Sequence, residues 1–399
     1  MLATDRSGVP FGRFVYGRRY LERSDAVPID PIELPLSNRT YETEGLKGMF
    51  GALRDAGPDY WGRRVIEKYA GLGELGELDY LLHSPDDRAG ALGFGIRRDP
   101  PAPLRTYNRT VDLERLQTLA DLLISHETAD ANEASLRQVE DLQLLGTSMG
   151  GARPKAVIED AGHLWVAKFN RQDDPFNCAR VEHAMLVLGR ECGLSTAESR
   201  LARIGGRDVL LVKRFDRIPA EAGGYRRARM LSALTILRTG DSYQDRDRWS
   251  YLRLAEELRR MSREPNQDAA ELFKRMTFNA LISNTDDHPR NHAVIAPNRD
   301  FRLSPAYDLV PFRHVSIERR DLALTVGDYG RYANAANLIS QAQRFLLDQR
   351  DAVRIVDEME ACVRARWYLV ARREGVSELD CEAISQAFAY PGFRYSVTA

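Results

Sequence analysis

Between residues 283 and 291 the chain reads Ser-Asn-Thr-Asp-Asp-His-Pro-Arg-Asn, directly after a run, residues 269–282, with apolar residues at helical spacing. No other stretch limits the fold and its chemistry as sharply. Pro289 cannot continue a helix, so the segment is a polar loop at a helix end, and Asn/Asp-rich loops cap helices as a matter of course. A further acid follows. Residues 293–295 and 301–303 form the arms of a short hairpin around the turn-rich Pro297-Asn-Arg-Asp300, and the hairpin leads to Pro305-Ala-Tyr-Asp308. Asp286, Asn291 and Asp308 together offer carboxylate and amide oxygens, the donors that a hard cation such as Mg²⁺ takes. His288 and His292, with Asp287, suggest zinc by residue type. Against this, Pro289 breaks the helix that would present both imidazoles, and no third ligand stands at a motif spacing.

Upstream the pattern differs. Residues 155–159, 164–169 and 209–215 read as strands, and a helix over 178–192 carries Val181, Met185 and Leu188 on one face. Beyond about Arg226 the chain is mainly helical, over 252–261, 269–282, 352–372 and 378–388. The first hundred or so residues read as a compact α+β unit. It has a strand at 12–16, extended segments spaced by Pro28, Pro31 and Pro35, and helical patterns at 46–53 and 61–69. Pro100, Pro101 and Pro103 make a stiff, extended boundary, because each fixes its own φ and restricts its predecessor. Helices at 111–126 and 133–143 follow.

Two features in the strand-rich part bear on chemistry. Gly146-Thr-Ser-Met-Gly-Gly-Ala-Arg-Pro-Lys155 allows close backbone approach to phosphate oxygens. It matches neither G-x-x-x-x-G-K-[ST] nor G-x-G-x-x-G, and alone it reads equally as a turn. Lys168 lies in Leu164-Trp-Val-Ala-Lys-Phe169, where an ammonium needs either a counter-charge or an outlet to water. Glu182, at the start of the next helix, is the available acid. A strand lysine paired with a helix glutamate holds ATP phosphates in protein kinases, and Asp-x4-Asn is the spacing of their catalytic loop. A helix-capping loop accounts for any one of these residues. It does not account for a glycine-rich loop, lysine, glutamate, Asp-x4-Asn and hairpin aspartate arriving in that order.

In these residues the chain resembles the HipA-type serine/threonine kinases, the toxin halves of bacterial toxin–antitoxin pairs. The resemblance covers nearly the whole chain. It rests on Pro35-Leu, Leu53-Arg-Asp-Ala-Gly-Pro-Asp-Tyr-Trp-Gly-Arg-Arg64, Asp87-Arg-Ala-Gly-Ala-Leu-Gly93, Ser148-Met-Gly-Gly-Ala-Arg-Pro-Lys155, Lys168, Arg214-Phe-Asp-Arg217, Asn284 through Asn291, and Pro305-Ala-Tyr-Asp308. It implies an α+β, two-lobed protein-kinase-like fold: an extra N-terminal α+β subdomain (1–105), a helical connector (106–139), a small lobe (140–220) and a mainly helical large lobe (221–399). It implies ATP and Mg²⁺ as cofactors. In that reading Asp286 is the catalytic base, Lys168 the phosphate lysine, Glu182 its structural ion-pair partner, and Asn291 and Asp308 the Mg²⁺ ligands. Gly150, Gly151, Ala152, Arg153 and Lys155 belong to the nucleotide loop, and Lys213 to Phe215 form the hinge beside adenine. His288, Arg290 and Asn291 lie near the phosphates. Ser148 falls where members autophosphorylate, which disorders the loop and switches the kinase off.

The implied partners are a small helix-turn-helix antitoxin of HipB type, operator DNA reached mainly through it, and a protein substrate. Some members act on an aminoacyl-tRNA synthetase. The chain departs from the family pattern at Asp287, where glycine is frequent, at Ala-Arg-Pro-Lys, where a Gln-Glu pair is common, and at Lys213, where an acid is expected. Arg153 and Pro154 put the mobility of the loop, and with it the switch, in question. A small-molecule or lipid kinase, or a corepressor module in an antitoxin–operator complex, are the competing readings.

Composition agrees with a globular protein that does not itself grip nucleic acid. Among 399 residues, Lys+Arg 57 against Asp+Glu 58 gives a net charge of -1, too little for binding through overall charge. The basic run Arg226-Arg-Ala-Arg229 reads as a solvated face, or as a contact for an acidic substrate or DNA. No apolar run approaches the roughly 18 residues of a membrane helix, and the N-terminus has no signal-peptide core. Cys178, Cys192, Cys362 and Cys381 are scattered, with neither C-x-x-C nor a disulfide-framework spacing. A cytoplasmic location is therefore expected.

Overall fold

Strand Pro10–Phe14 forms the middle of a three-stranded antiparallel sheet, between Leu2–Thr4 and Tyr41–Thr43. The computed structural model describes residues 2–4, 8–70, 75–97, 99, 101, 107–125, 153–313 and 316–396. They fall into two units, and the sheet belongs to the first, which comprises Met1–Phe169, Asp216–Gly240 and Ile295–Arg299. Tyr16, Leu34, Tyr41 and Phe50 form a buried cluster beneath it, with Phe14 and Tyr20 packed against them. The phenol of Tyr16 is satisfied inside this cluster. It donates to the Leu34 carbonyl (2.5 Å) and accepts the Ile29 N–H (2.9 Å).

The helix expected at 46–53 is broken. Leu46 and Lys47 are left-handed, with φ of 51° and 60°, and a separate helix Gly51–Asp55 follows. Gly48 follows them at φ 79°, and Gly45, Gly48 and Gly51 weaken a helix here. Gly12 lies so close to the Gly48 carbonyl oxygen that a Cβ on Gly12 would stand 1.9 Å from it, so the bend also seats the strand against this segment.

Asp59 caps the helix Tyr60–Ala70, accepting the Gly62 N–H at 2.7 Å. Arg63 in this helix forks onto Glu77 of the next one, Glu77–His83, at 2.9 and 2.6 Å. Two motifs far apart in sequence then meet. Asp216 accepts the Gly90 N–H (2.9 Å), while Arg217 donates to the carbonyls of Gly90 (2.8 Å) and Arg88. The basic run is not a solvated face. Arg227 forks onto Asp86 at 3.1 and 2.6 Å, Arg229 donates to the carbonyls of Pro28 (2.9 Å) and Arg299 (2.5 Å), and only Arg226 is exposed. The unit also holds a mixed sheet. Asn108–Arg109 runs parallel to Lys155–Asp160, which pairs antiparallel with His163–Phe169 so that Lys155 stands opposite Lys168.

The second unit comprises Asn170–Phe215, Asp241–Val294 and Asp300–Ala399. Helix Cys178–Glu191 starts at Asn177, whose side chain accepts the Arg180 N–H (3.1 Å), and it buries Val181, Met185 and Leu188 as its spacing predicts. Strands Ser199–Ile204 and Arg207–Lys213 form a hairpin through Gly205 and Gly206, both at positive φ (53° and 80°). A two-residue Gly-Gly turn is a hairpin signal, and the first of these strands is absent from the sequence reading. Helices Tyr251–Met261, Pro265–Leu281 and Gln349–Arg373 carry the core of this unit. The final helix, Glu378–Ile384, gives way to a tighter turn, Ser385–Ala387, sooner than the expected end at 388.

The cysteines require a correction. Cys192 and Cys362 form a disulfide with their Cα atoms 5.8 Å apart, joining the end of Cys178–Glu191 to the long helix, while Cys178 and Cys381 are buried and take no part in it. The two are 170 residues apart, so no local spacing announces the pair.

Candidate active site

The polar loop begins where helix Pro265–Leu281 is forced to stop. Ser283 is left-handed (φ 53°), and the Asn284 N–H folds back onto the Asn279 carbonyl at 2.9 Å. The strained serine is held by its hydroxyl, which donates to the Ala387 carbonyl (2.6 Å) and accepts from Arg320 (2.6 Å). From there the loop winds on itself. The His288 N–H donates to the Asp286 carbonyl (2.8 Å), the Asn291 N–H to the His288 carbonyl (2.9 Å), and the Asn291 side-chain amide to the Asp286 carbonyl (3.2 Å). Asp308 is also left-handed (φ 59°), and Asn284 donates to its carbonyl at 3.2 Å. One asparagine thus ties the hairpin aspartate to the loop that carries Asp286 and Asn291.

Asp286 faces solvent, yet the protein around it strips enough water to push its carboxyl above the ordinary range. His288 pulls it back, Asp308 and Asp287 add like charge, and Arg246 lowers it again. A carboxylate beside a second acid and opposed by a histidine and an arginine can accept a proton and sits where a cation is welcome. Asn291 is nearly buried and Asp308 half-buried. An amide oxygen and a carboxylate are donors of the type that Mg²⁺ takes, with phosphate and water completing its shell. The zinc alternative fares worse: among the described residues no three His, Cys, Asp or Glu side chains converge, and His292 spends Nε2 on Asp287.

That contact belongs to a buried network that sequence reasoning missed. Asp287, fully buried, accepts from the Tyr251 hydroxyl and pairs with His292 Nε2 at 2.7 Å. Tyr251 also accepts from Asn279 (3.1 Å), and Asn284 donates to the same Asn279 (3.1 Å). Burial, then the Asp287 charge, pushes the Tyr251 phenol well above its ordinary value, so it stays a donor. The residue that looked like a departure from the family pattern therefore anchors the loop from below. Tyr307 was missed as well. Its hydroxyl donates to the Arg290 carbonyl (2.7 Å), and its ring packs 5.6 Å from that of Phe215.

The remaining expected residues fall in several places. Lys213 pairs with Glu198 at 3.0 Å, and its backbone N–H donates to the Glu198 carbonyl (2.8 Å). Arg290 is held by Asp241 at 2.5 Å, and His288 is half-buried in the loop. Lys168, half-buried, and Arg153 lie in the first unit, while Glu182 is buried on helix Cys178–Glu191 of the second. Lys155 departs from its expected role. Its ammonium is buried against Asp59 at 2.5 Å rather than open to a phosphate. Gly150, Gly151, Ala152 and Ser148, like the helix expected at 133–143, lie outside the described residues. Among the described residues no helix is long and apolar enough to cross a membrane.

Two family models match the chain: a HipA N-terminal domain over residues 1–95 and a HipA-like C-terminal domain over residues 147–367. A protein of Sinorhizobium fredii named "Putative kinase Y4mE" is 26% identical over 314 residues, 74% of this chain and 71% of that one. A "Putative kinase" of Haemophilus influenzae is 26% identical over 183 residues, 41% of this chain and 52% of that one. Among solved structures, the Shewanella oneidensis HipA in complex with HipB and operator DNA superposes with a TM-score of 0.67, covering 97% of this chain and 92% of that one at 16% identity. The mixed α and β fold expected from the sequence is thus the fold found.

Proposed function

Because the chain belongs to the HipA family, we propose that it transfers the γ-phosphoryl group of ATP to a serine or threonine hydroxyl of a protein. The observation that carries this reading is the loop itself, with Asp286 and Asn291 wound onto one backbone and Asp308 tied to it through Asn284. Asp286 orients the acceptor hydroxyl and takes its proton. Desolvation raises its carboxyl pKa, which makes it a better base. Asn291 and Asp308 hold Mg²⁺, which neutralises phosphate charge. Lys168 offsets more of that charge, and Phe215, braced by Tyr307, lies in the hinge beside adenine. Ser148 is the proposed site of autophosphorylation.

The biological reading follows the family: a toxin that arrests growth by phosphorylating a cellular protein and is held in check by a helix-turn-helix antitoxin. The Shewanella relative, solved with HipB and operator DNA, supports such a partner. The net charge of -1 supports leaving most DNA contact to that partner.

The deciding experiment is Asp286→Asn, assayed for phosphotransfer from labelled MgATP to a panel of protein, lipid and small-molecule acceptors. The variant should keep the wild-type circular dichroism and lose about 10²–10⁴-fold in rate. Near-full transfer by the folded variant rejects Asp286 as base, and transfer to lipid or metabolite alone rejects the protein substrate.

A further inference from the structure

Lys155 and Asp59 form an ion pair at 2.5 Å with side chains only 2% and 3% exposed. A buried pair is a weak source of net stability, since desolvation offsets most of the attraction, but it fixes geometry well. Both ends of this one are anchored. Asp59 Oδ1 accepts the Gly62 N–H that opens helix Tyr60–Ala70, while Oδ2 takes the ammonium. Lys155 is the first residue of its strand, directly after the glycine-rich segment, and the Phe169 N–H closes the same end of the hairpin onto the Pro154 carbonyl at 3.1 Å. In register, Lys155 lies opposite Lys168. Directly opposed residues of an antiparallel pair share a face with Cβ atoms about 5 Å apart, and like charges there repel. Asp59 neutralises one of the two.

We propose that Asp59 is a positioning residue for phosphoryl transfer: it holds the Lys155 ammonium in a buried pair, leaves Lys168 as the cation that meets the nucleotide phosphates, and fixes the strand end from which the glycine-rich segment departs. The proposal rests on the kinase reading and deepens it, because it gives the N-terminal part of the first unit a share in nucleotide binding. It also reassigns Lys155. A lysine next to glycines resembles a phosphate ligand, but here it is the anchor of the strand.

The test uses the full chain and a non-hydrolysable ATP analogue with Mg²⁺, with calorimetric Kd and thermal melts for wild type, Asp59→Asn, and Asp59→Asn/Lys155→Met. Asp59→Asn removes the carboxylate that holds the Lys155 ammonium opposite Lys168, so it should melt lower and bind the analogue at least tenfold more weakly, about 1.4 kcal/mol. The double variant removes the ammonium together with the carboxylate. It should recover the wild-type melt yet remain at least threefold weaker in binding, a split that a merely structural pair would not produce. Three results overturn the proposal with the kinase reading intact: Asp59→Asn binding within twofold of wild type, Asp59→Asn binding more tightly because a released Lys155 grips phosphate, or the double variant binding like wild type. Failure of the wild type itself to bind the analogue removes the kinase reading and the proposal with it.

Discussion

Asp30 gives the fold a titration that can be followed without any assay of activity. Its side chain is fully buried, Oδ1 accepts the Ile32 N–H at 2.7 Å, and Oδ2 receives no hydrogen bond from the described residues. Burial pushes its carboxyl from 3.8 up to about 6, opposed by the Ile32 N–H and reinforced by the charge of Glu33. The folded protein therefore holds this proton more tightly than the unfolded chain does. The stabilisation is fully present below the unfolded value and is lost as pH rises through about 6. A difference of about two units, at 1.36 kcal/mol each, makes the loss roughly 3 kcal/mol between about pH 4 and pH 7. Asp30→Asn keeps an acceptor for Ile32 and cannot ionise. Its unpaired amide costs roughly 1–3 kcal/mol, but by the same amount at every pH. Urea unfolding at stepped pH, followed by tryptophan fluorescence, should show the variant gaining about 3 kcal/mol on wild type from acid to neutral. Parallel stability profiles across that window would refute the argument.

Other expectations are briefer. Tyr251→Phe removes the hydroxyl between Asp287 and Asn279 and should cost about 1.5–3 kcal/mol in unfolding along with part of the phosphotransfer rate; an unchanged melt and rate would mean the network does not hold the loop. Cys192→Ser opens a link between residues 170 apart, and loop entropy puts the loss at about 5 kcal/mol under oxidising conditions, with no difference from wild type after reduction. After incubation with MgATP, mass spectrometry should find phosphate on Ser148 in wild type and not in Asp286→Asn, and the phosphorylated form should bind nucleotide more weakly, since phosphorylation adds about -1.5 to -2 charges to the segment proposed to bind phosphate.

What the sequence made legible is what periodicity and local motif chemistry control. The helix spacing of Val181, Met185 and Leu188 placed Cys178–Glu191 almost to the residue, and the run before Ser283 placed the loop at a helix end. The apolar strand around Trp165 was equally plain. The misreadings have long-range causes. The break at Leu46 is an exception, since Gly45, Gly48 and Gly51 are local signals against a helix. Lys155 reads as a phosphate ligand because glycines precede it, whereas the acid that claims it lies 96 residues earlier. Asp287 reads as a departure until Tyr251 and His292 are seen around it. The strand Ser199–Ile204 is different, since Gly205-Gly206 is a local hairpin signal.

The same contacts explain why separate motifs belong to one family signature. Asp216 and Arg217 of one motif grip the backbone of Gly90 and Arg88 in another. Asp59 of the N-terminal motif claims the lysine that closes the glycine-rich one. Asn284, opening the Asp286–Asn291 loop, holds the carbonyl of Asp308, which closes the last motif. Each motif is therefore half of a contact, and a residue in it is constrained by a partner some 24 to 129 positions away. A buried polar group that loses its partner keeps its full desolvation cost, so one half of such a contact cannot change alone without penalty. For this chain the physical unit of the resemblance is the contact between motifs, and a substitution in the N-terminal domain should be read first at the strand or loop it grips.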